Sequence, residues 1–382
     1  FGSRARPVTA LPPSPLTLAR VAMAQYAVGQ MVGSLDMSSM GLLQDAQLDY
    51  YGKRVATASD DHVVYVWDVT DGQQKPAGQL KGHEGPIWKV VWAHPKFGSL
   101  IATCGYDMKV VVWKEVPAYS ANWQVAYMDT SHAASVNDVQ FCPWEHGLKL
   151  ACASSDGTVS VLTYAADHQW RRTFFQAHPG GAQSVSWMPA QPREGSAGVT
   201  MRLVTGGCDS SVCVWKHHEE AWIQESPPLP PVHTDWVRAV AWRPDGPGGS
   251  VIASGSLDKS VVIWAQEMEG QPWRQIFKFA VGGKVEGLSW SVTGSILAVS
   301  FGDGDAVLYR ETFDGKYEEV GKVAEAGFTE VPNSRSAGAA PGSGTGVAMP
   351  AVGFGASDAE PAKPASNEMA MQQQAVLEAF GM

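Results

Sequence analysis

The chain has 382 residues, with 28 Lys and Arg against 38 Asp and Glu, which gives a formal net charge of −10. Charged residues make up 17% of the chain, below the roughly 25% typical of soluble domains, whereas tryptophan (15) and glycine (40) are abundant. The acidic balance disfavours nucleic acid or an anionic membrane surface as a direct partner, because both select for basic patches. The composition also excludes a coiled coil and a highly charged disordered chain.

The first 36 residues read as a leader that stands apart from the rest of the sequence. Arg4, Arg6 and Arg20 precede the first acidic residue, Asp36. An arginine-bearing, acid-poor segment fits an organelle transit peptide. It equally fits residues translated upstream of a start at Met23, and we favour that second interpretation.

A short frame recurs six times after the leader, with an Asp six residues before an aromatic or large apolar residue and β-branched residues between them. The copies begin at Asp61, Asp107, Asp156, Asp209, Asp258 and Asp303, at intervals of 46, 49, 53, 49 and 45 residues. A second frame places a histidine nine residues before an aromatic residue in the four inner copies, at His83, His132, His178 and His233. The first and last copies lack this histidine, as terminal repeats often differ from inner ones.

Each repeat contains short apolar runs with two-residue alternation, separated by turn residues such as Asp71-Gly72 and Asp314-Gly315. These runs predict about four strands per repeat, which together with the His and Asp frames is typical of a WD-repeat propeller blade. We therefore predict an all-β, six-bladed propeller over residues 37–322. The segment 323–382 is rich in Gly, Ala, Pro and Ser and is expected to be a disordered tail.

The repeated polar residues suggest catalysis at first sight, because a His, Asp and Ser set can activate a nucleophile. The set recurs in several blades, however, whereas an active site is normally single. We therefore expect no enzyme activity and a buried hydrogen-bond network instead. Its members are His83, Asp107, Trp113, His132, Asp156, His178, Asp209, Trp215, His233, Asp258 and Trp264.

No cofactor or metal site is expected. His217 and His218 precede two glutamates, but we interpret this stretch as a solvated loop, and no Cys or His spacing matches a zinc site.

Closure of the ring is the feature that bears on function. WD propellers commonly close when the N-terminal segment supplies the outer strand of the last blade, but here residues 311–317 repeat the outer hairpin of earlier blades. The swap then looks unnecessary, and the ring is expected to be open. Unpaired edges and apolar faces require a covering chain, so we expect an obligate partner that donates β-structure. Residues 26–32 offer the opposite outcome, a closing strand.

Six segments carry a family resemblance: DAQLDYYG at 45–52, GHEGPIW at 82–88, WAHPKFG at 92–98, ACASSDG at 151–157, DWVR at 235–238 and SWSVTG at 289–294. Together they resemble the small WD-repeat subunit shared by the outer coat of COPII vesicles and the Y-shaped scaffold complex of the nuclear pore. The resemblance covers residues 37–322 and leaves out the leader and the tail.

The resemblance implies an open six-bladed propeller without catalytic activity, into which a larger scaffold protein inserts a seventh blade. That partner would be the large outer-cage subunit in the coat and a scaffold nucleoporin in the pore. The implied locations are the cytoplasmic face of the endoplasmic reticulum, COPII vesicles and the nuclear envelope, with membrane contact only through the assembly. From the repeat register, we expect the partner seam to include Leu42, Leu43, Leu48, Val55, Leu288, Trp290, Leu297 and Val299.

Two alternatives stay open at this point. One is the sister WD nucleoporin of the same pore complex, which has a similar architecture. The other is a peptide-binding WD adaptor, such as a ubiquitin-ligase substrate receptor, which would use the top face or central channel rather than the seam. The segments at 45–52 and 92–98 favour the subunit shared by the coat and the pore over the sister nucleoporin.

Overall fold

The computed structural model describes residues 41–70, 74–190, 200–244, 249–302, 304–312, 314–324 and 327–330. The leader, the candidate closing strand at 26–32 and the tail beyond residue 330 lie outside these ranges. The described chain forms strands throughout, apart from loops and two short 3₁₀ turns at Pro95–Phe97 and Trp144–His146. This is the predicted all-β fold.

Three antiparallel sheets form the first half of the propeller. The first sheet contains β1 (Leu43–Leu48), β2 (Arg54–Ser59), β3 (Val63–Asp68) and β4 (Lys75–Lys81). The second contains β5 (Ile87–Trp92), β6 (Leu100–Gly105), β7 (Val110–Glu115) and β8 (Trp123–Asp129). The third contains β9 (Val136–Phe141), β10 (Lys149–Ser154), β11 (Thr158–Tyr164) and β12 (Trp170–Gln176).

Three further sheets complete the six predicted blades. The fourth contains β13 (Ala182–Trp187), β14 (Arg202–Gly207), β15 (Val212–His218) and β16 (Ala221–Gln224). The fifth contains β17 (Val237–Trp242), β18 (Ser250–Ser256), β19 (Ser260–Gln266) and β20 (Arg274–Ala280). The sixth contains β21 (Val285–Trp290), β22 (Ile296–Phe301), β23 (Asp305–Glu311), β24 (Tyr317–Ala324) and β25 (Gly327–Glu330).

The strand β7 shows why these sequences form blades with two buried faces. Its β-branched residues favour an extended backbone, and successive side chains point to opposite faces of the sheet. Val111 and Trp113 pack into the cluster shared with the first sheet, whereas Val110 and Val112 pack into the cluster shared with the third. A strand buried on both sides reads as a continuous apolar run, as β7 does.

The six sheets follow one another around a ring that is open. The innermost strands β1, β5, β9, β13, β17 and β21 pack in that order, and five buried apolar clusters join consecutive sheets. Over the described ranges, the first and sixth sheets share neither a strand ladder nor a buried apolar cluster. The predicted open ring is therefore confirmed, and we call the space between these two sheets the gap.

The sixth sheet supplies its own outer strand, as residues 311–317 predicted. The strand β24 pairs with β23 from Glu311 opposite Tyr317 to Ala306 opposite Val323. A fifth strand, β25, then pairs with β24. The sheet thus continues through Glu330, beyond the boundary at residue 322 expected for the propeller.

Candidate functional site

The second sheet shows how the predicted polar residues meet. The Nδ1 of His83 lies 2.9 Å from Asp107 Oδ2, and its Nε2 lies 2.8 Å from Thr103 Oγ1. The indole Nε1 of Trp113 donates to the same Thr103 oxygen at 2.9 Å. A consistent proton assignment runs from the indole N–H to the threonine hydroxyl, from that hydroxyl to Nε2, and from Nδ1–H to the carboxylate. Both nitrogens of the imidazole then have hydrogen-bond partners.

The third to fifth sheets repeat this arrangement. The Nδ1-to-carboxylate distances are 3.1 Å for His132 and Asp156, 3.0 Å for His178 and Asp209, and 3.2 Å for His233 and Asp258. The Nε2 partners, each at 2.8 Å, are Ser160, Thr205 and Ser254. The indoles that donate to these hydroxyls are Trp215 at 2.9 Å and Trp264 at 2.8 Å. In the third sheet, Leu162 replaces the tryptophan.

The aspartate of each network also shapes the turn that precedes the third strand. Asp258 accepts from the Ser260 N–H at 2.9 Å and from the Thr234 N–H at 3.0 Å, so it ties this turn to the preceding loop. Burial raises the pKa of Asp258, but these hydrogen bonds outweigh it and the pKa falls to about 2. Burial lowers the pKa of His233, which keeps the imidazole neutral near pH 7.

The networks are directed inward and offer no exposed nucleophile. Ser254 Oγ is occupied by Trp264 and His233, and Ser254 itself is fully buried. The same set stands in four sheets, which is the pattern of a repeated structural element. Over the described part of the chain, no three His, Cys, Asp or Glu residues are grouped in a way that would hold a metal ion. No helix there is long and apolar enough to cross a membrane.

The pair His217 and His218 differs from the expected solvated loop. Both residues belong to β15, and Glu219 follows in the turn with a φ of 56°. The His217 ring packs edge-on against Trp222, with ring centroids 5.1 Å apart. Adjacent residues of a strand point to opposite faces, so the two imidazoles do not converge on one ligand.

A second set of tryptophans joins neighbouring sheets at the inner strands. Trp92 Nε1 donates to the Gln47 carbonyl of the first sheet at 3.0 Å, and Trp187 Nε1 donates to the Gln140 carbonyl of the third at 2.9 Å. Trp290 Nε1 donates to the Ala241 carbonyl of the fifth sheet at 3.2 Å. The first sheet has Leu48 at this repeat position, so it carries no indole to bind a preceding sheet across the gap.

Two buried arginines, which the sequence reasoning missed, lie on either side of the ring. Arg54 forms a bidentate pair with Glu115, with Nη1–Oε2 at 2.9 Å and Nη2–Oε1 at 3.0 Å, and stacks over Trp92. Arg202 donates to Glu225 at 2.6 Å and to Gln266 of the fifth sheet at 2.7 Å. The sequence feature that could have revealed them is an arginine at the first residue of the second strand of a blade, where a charged residue is unusual.

The first sheet presents an incomplete network to the gap. Trp67 occupies the repeat position of Trp113 and Trp264, which are 2% and 1% exposed, yet it is only partly buried. Its Nε1 is shielded from water and has no hydrogen-bond partner in the structure as described. The corresponding hydroxyl, Thr57 Oγ1, donates to the Tyr65 carbonyl at 3.4 Å, as Thr103 Oγ1 donates to the Val111 carbonyl in the second sheet. An unpaired buried donor costs about 1–3 kcal/mol unless another group supplies an acceptor.

The four seam residues expected in the first unit lie on this same side of the first sheet or beside it. Val55 stands opposite both Leu48 and Trp67 in the strand ladders, and Leu43 stands opposite Ser59. Val55, Leu43 and Leu48 form a small apolar cluster separate from the one shared with the second sheet. Leu42 precedes β1 and is 54% exposed.

The four seam residues expected in the last unit lie on the other side of the sixth sheet. Leu288, Trp290, Leu297 and Val299 belong to the apolar cluster shared with the fifth sheet. The ladder registers place a different set of side chains toward the gap, because neighbouring positions alternate between faces. That set comprises Gly287, Ser289, Ala298, Ser300, Ala306 and Leu308.

Comparison with known proteins agrees with this architecture. The model of the WD domain, G-beta repeat, matches residues 32–68, 74–114, 169–216 and 229–265. The chain is 37% identical to the protein SEC13 homolog of Drosophila melanogaster over 322 residues, covering 80% of this chain and 89% of that protein. It is 40% identical to protein transport protein sec13 of Emericella nidulans, covering 74% and 96%. It is 42% identical to protein transport protein SEC13 of Yarrowia lipolytica, covering 74% and 97%.

Proposed function

The chain belongs to the Sec13 family of WD-repeat proteins, and from this membership we propose that it is a non-catalytic scaffold subunit in protein transport. Relatives from two fungi are named protein transport proteins, which supports the general role. More specifically, the protein would build the outer cage of the COPII coat in transport from the endoplasmic reticulum to the Golgi. The same subunit would also serve in the Y-shaped scaffold complex of the nuclear pore.

The observation that carries this proposal is the gap between the first and sixth sheets. A scaffold subunit must hold its partner through a large, well-packed surface rather than through a catalytic cleft. The gap offers a whole sheet face on each side, and strand addition supplies backbone hydrogen bonds together with side-chain packing. We propose that a larger partner donates a seventh blade here. The partners would be the large outer-cage subunit in the coat and a scaffold nucleoporin in the pore.

The residues that would receive the seventh blade are those turned toward the gap. On the first sheet they are Leu43, Leu48 and Val55, with Leu42 exposed at the strand entrance. On the sixth sheet, Ala298 lies on the face toward the gap, whereas its larger neighbour Leu297 lies on the face toward the fifth sheet. We propose that the seam lies at this gap and that its sixth-sheet half is formed by the alternate residues of the same strands.

The proposed location follows from the proposed partners. The protein would lie on the cytoplasmic face of the endoplasmic reticulum and on COPII vesicles through the coat, and at the nuclear envelope through the pore. The net charge of −10 supports protein partners over nucleic acid or direct lipid contact.

The test is recovery of the partner by the full chain. An epitope-tagged chain is purified from its own cells and assayed for the large outer-cage subunit and the scaffold nucleoporin. Leu48→Glu places a charge on the gap face of β1, and we expect it to reduce recovery at least tenfold. Phe174→Glu is the matched control, because Phe174 is 64% exposed on an outer strand far along the chain.

Both variants are first compared with the natural chain by circular dichroism and thermal unfolding, so that loss of fold is separated from loss of binding. Absence of both partners from the natural chain's complexes would contradict the scaffold proposal. Equal recovery by Leu48→Glu and the natural chain would contradict the assignment of the gap as the binding site.

A further inference from the structure

Every closed junction in the ring joins two unlike faces. On its second and third strands, the preceding sheet contributes small or β-branched side chains, and the following sheet contributes larger ones at the level of the repeat tryptophan. The outer strand of the preceding sheet adds large side chains, such as Phe175 at the third junction and Phe277 and Phe279 at the fifth. At the first junction, the small face comprises Ala56, Ala58, Val64 and Val66, and the large face includes Ile101, Val111 and Trp113. At the fifth junction, the small face includes Ala253, Val261 and Ile263, and the large face includes Leu297, Val299 and Tyr309.

The junctions between them follow the same rule. At the third junction, the small face includes Ala151, Ala153, Val159 and Val161, and the large face includes Trp187, Leu203, Trp215 and Trp222. The order of the two faces never reverses along the chain. This constancy follows from the repeat, because each blade turns the side that carries the repeat aromatic or leucine toward the blade before it. The residues at this position are Trp113, Leu162, Trp215, Trp264 and Tyr309.

The gap is bordered by one large face and one small face. The first sheet turns its large face outward, with Val55, Tyr65 and Trp67 on one side of β2 and β3. The Tyr65 and Trp67 rings lie nearly parallel, 21° apart, with centroids at 6.4 Å. The sixth sheet turns its small face outward, with Ala298 opposite Leu308 and Ser300 opposite Ala306 in the ladder.

We propose that the polypeptide that enters the gap is a β-sheet with two unlike faces in one fixed orientation. Its large face, with an aromatic ring at the level of the repeat tryptophan, packs on the small face of the sixth sheet. Its small face, built from alanine and valine, packs on Tyr65 and Trp67 of the first sheet. This inference rests on the proposed function, in which a donated blade fills the gap, and it specifies the chemistry of that blade.

The reversed orientation would fail at both contacts. A large face against Trp67 would overpack a surface already occupied by two aromatic rings. A small face against Ala298 and Ala306 would leave voids, whose cost grows with their volume. On their second and third strands, the five closed junctions of this chain avoid both outcomes, so these strands serve as the template for the two missing junctions.

Trp67 adds a polar requirement to the small face. In the second, fourth and fifth sheets the equivalent indole donates to a threonine or serine of its own sheet, whereas Trp67 Nε1 has no partner in the structure as described. The entering blade therefore places a hydrogen-bond acceptor, either a carbonyl or a hydroxyl oxygen, against this nitrogen. A blade without that acceptor would bury the donor unpaired and bind more weakly.

The probe for this test is a blade of known faces, residues 236–280 of this chain, which contain the whole fifth sheet. It is fused to a soluble carrier and produced together with the tagged full chain. A second probe exchanges Ile252 with Ala253 and Ile263 with Trp264, which reverses the faces and keeps the composition. We expect the natural probe to bind at least tenfold more tightly than the reversed probe.

Two variants of the full chain locate the contacts. Ala298→Trp fills the small face of the sixth sheet, and we expect at least a tenfold loss of the natural probe. Trp67→Phe keeps the ring and removes the N–H, and we expect roughly a tenfold loss, the effect of one buried hydrogen bond. Phe174→Ala is the control and should bind the probe as the natural chain does.

Equal binding of the two probes, or binding of neither, overturns the proposal. Binding of neither probe would arise if another segment of this chain or a second copy fills the gap. Binding of the purified large outer-cage subunit is measured in parallel. If that subunit binds while the probes do not discriminate, the orientation rule fails and the proposed function stands.

Discussion

The inner sheets, from the second to the fifth, and the terminal sheets, the first and the sixth, are built from one repeat but end in different states. Each inner sheet has a histidine bonded to an aspartate and to a hydroxyl, and it is covered on both faces by neighbours of the same chain. The first sheet lacks the histidine and leaves the Trp67 indole unpaired, and the sixth carries Val281 at the histidine position. Under the proposed function, the inner sheets serve stability and the terminal sheets serve association.

The tryptophan substitutions should show the largest contrast between these two classes. Trp264→Ala removes a buried side chain that also binds Ser254, and we expect a loss of about 3–5 kcal/mol in the free energy of unfolding. Trp67→Ala removes a partly buried side chain at the gap, and we expect a loss below about 2 kcal/mol. Denaturant unfolding of the full chain measures both. Equal losses would show that the first sheet is covered like the others.

The Arg54 pair tests the strength of a closed junction. Arg54→Met leaves Glu115 buried without its cation, so we expect a loss of about 3 kcal/mol. The double replacement of Arg54 and Glu115 by methionine removes both charges, and it should recover most of that loss. Thermal and denaturant unfolding of the two variants give the comparison. A double variant no more stable than Arg54→Met would mean that the pair does not act through charge.

The aspartate of the network offers a smaller contrast between an inner and a terminal sheet. Asp258→Ala removes the acceptor for His233 and two backbone N–H groups, and we expect a loss of about 2 kcal/mol without loss of any catalytic activity. Asp61→Ala in the first sheet removes exposed bonds to the Val63 N–H and the Tyr65 hydroxyl, and it should cost less than about 1 kcal/mol. Unfolding curves of the matched pair decide whether the histidine makes the difference.

Acid should lower the free energy of unfolding mainly through groups of the inner sheets. This effect should be smaller than those of the three sets of substitutions above. His233 has a pKa lowered by burial, so the unfolded state binds more protons and stability falls as the pH drops below roughly 6.5. Asp209 and Asp258 have pKa values of about 2, so their contribution is present above roughly pH 4 and is lost as the pH falls toward 2.

Solvent screening limits each carboxylate to about 1 kcal/mol. Asp258→Asn should flatten the lower part of the curve of unfolding free energy against pH. A lower limb that keeps its slope in Asp258→Asn would assign the acid sensitivity to other groups.

Local repetition made most of the fold readable from the sequence. The Asp and His frames recur at intervals of 45 to 53 residues, and the number of copies predicts the number of sheets. The hairpin at residues 311–317 predicted the outer strand of the sixth sheet. Short runs of β-branched and aromatic residues bounded by turn residues, such as β7, predicted the strands themselves. These features depend on short stretches of sequence, and they were predicted for that reason.

The faces of the terminal sheets were harder to assign. The repeat register suggested that Trp290 and Leu297 belong to the partner seam, but the structure directs them to the fifth sheet. A shift of one residue along a strand changes the face, so the register of the ladder decides, and the sequence alone does not specify it. The ion pair of Arg54 with Glu115 joins residues 61 positions apart, and only the assembled ring brings them together.

The most direct test of the open ring is thermal unfolding of the full chain with and without the purified seventh-blade segment of the large outer-cage subunit. A ligand that binds only the folded state raises the unfolding midpoint, here by about 5 °C at a hundredfold excess over its dissociation constant. We expect that rise for the natural chain and a smaller one for Leu48→Glu. A soluble monomer whose midpoint is unchanged by the segment would contradict the claim that another chain completes the ring.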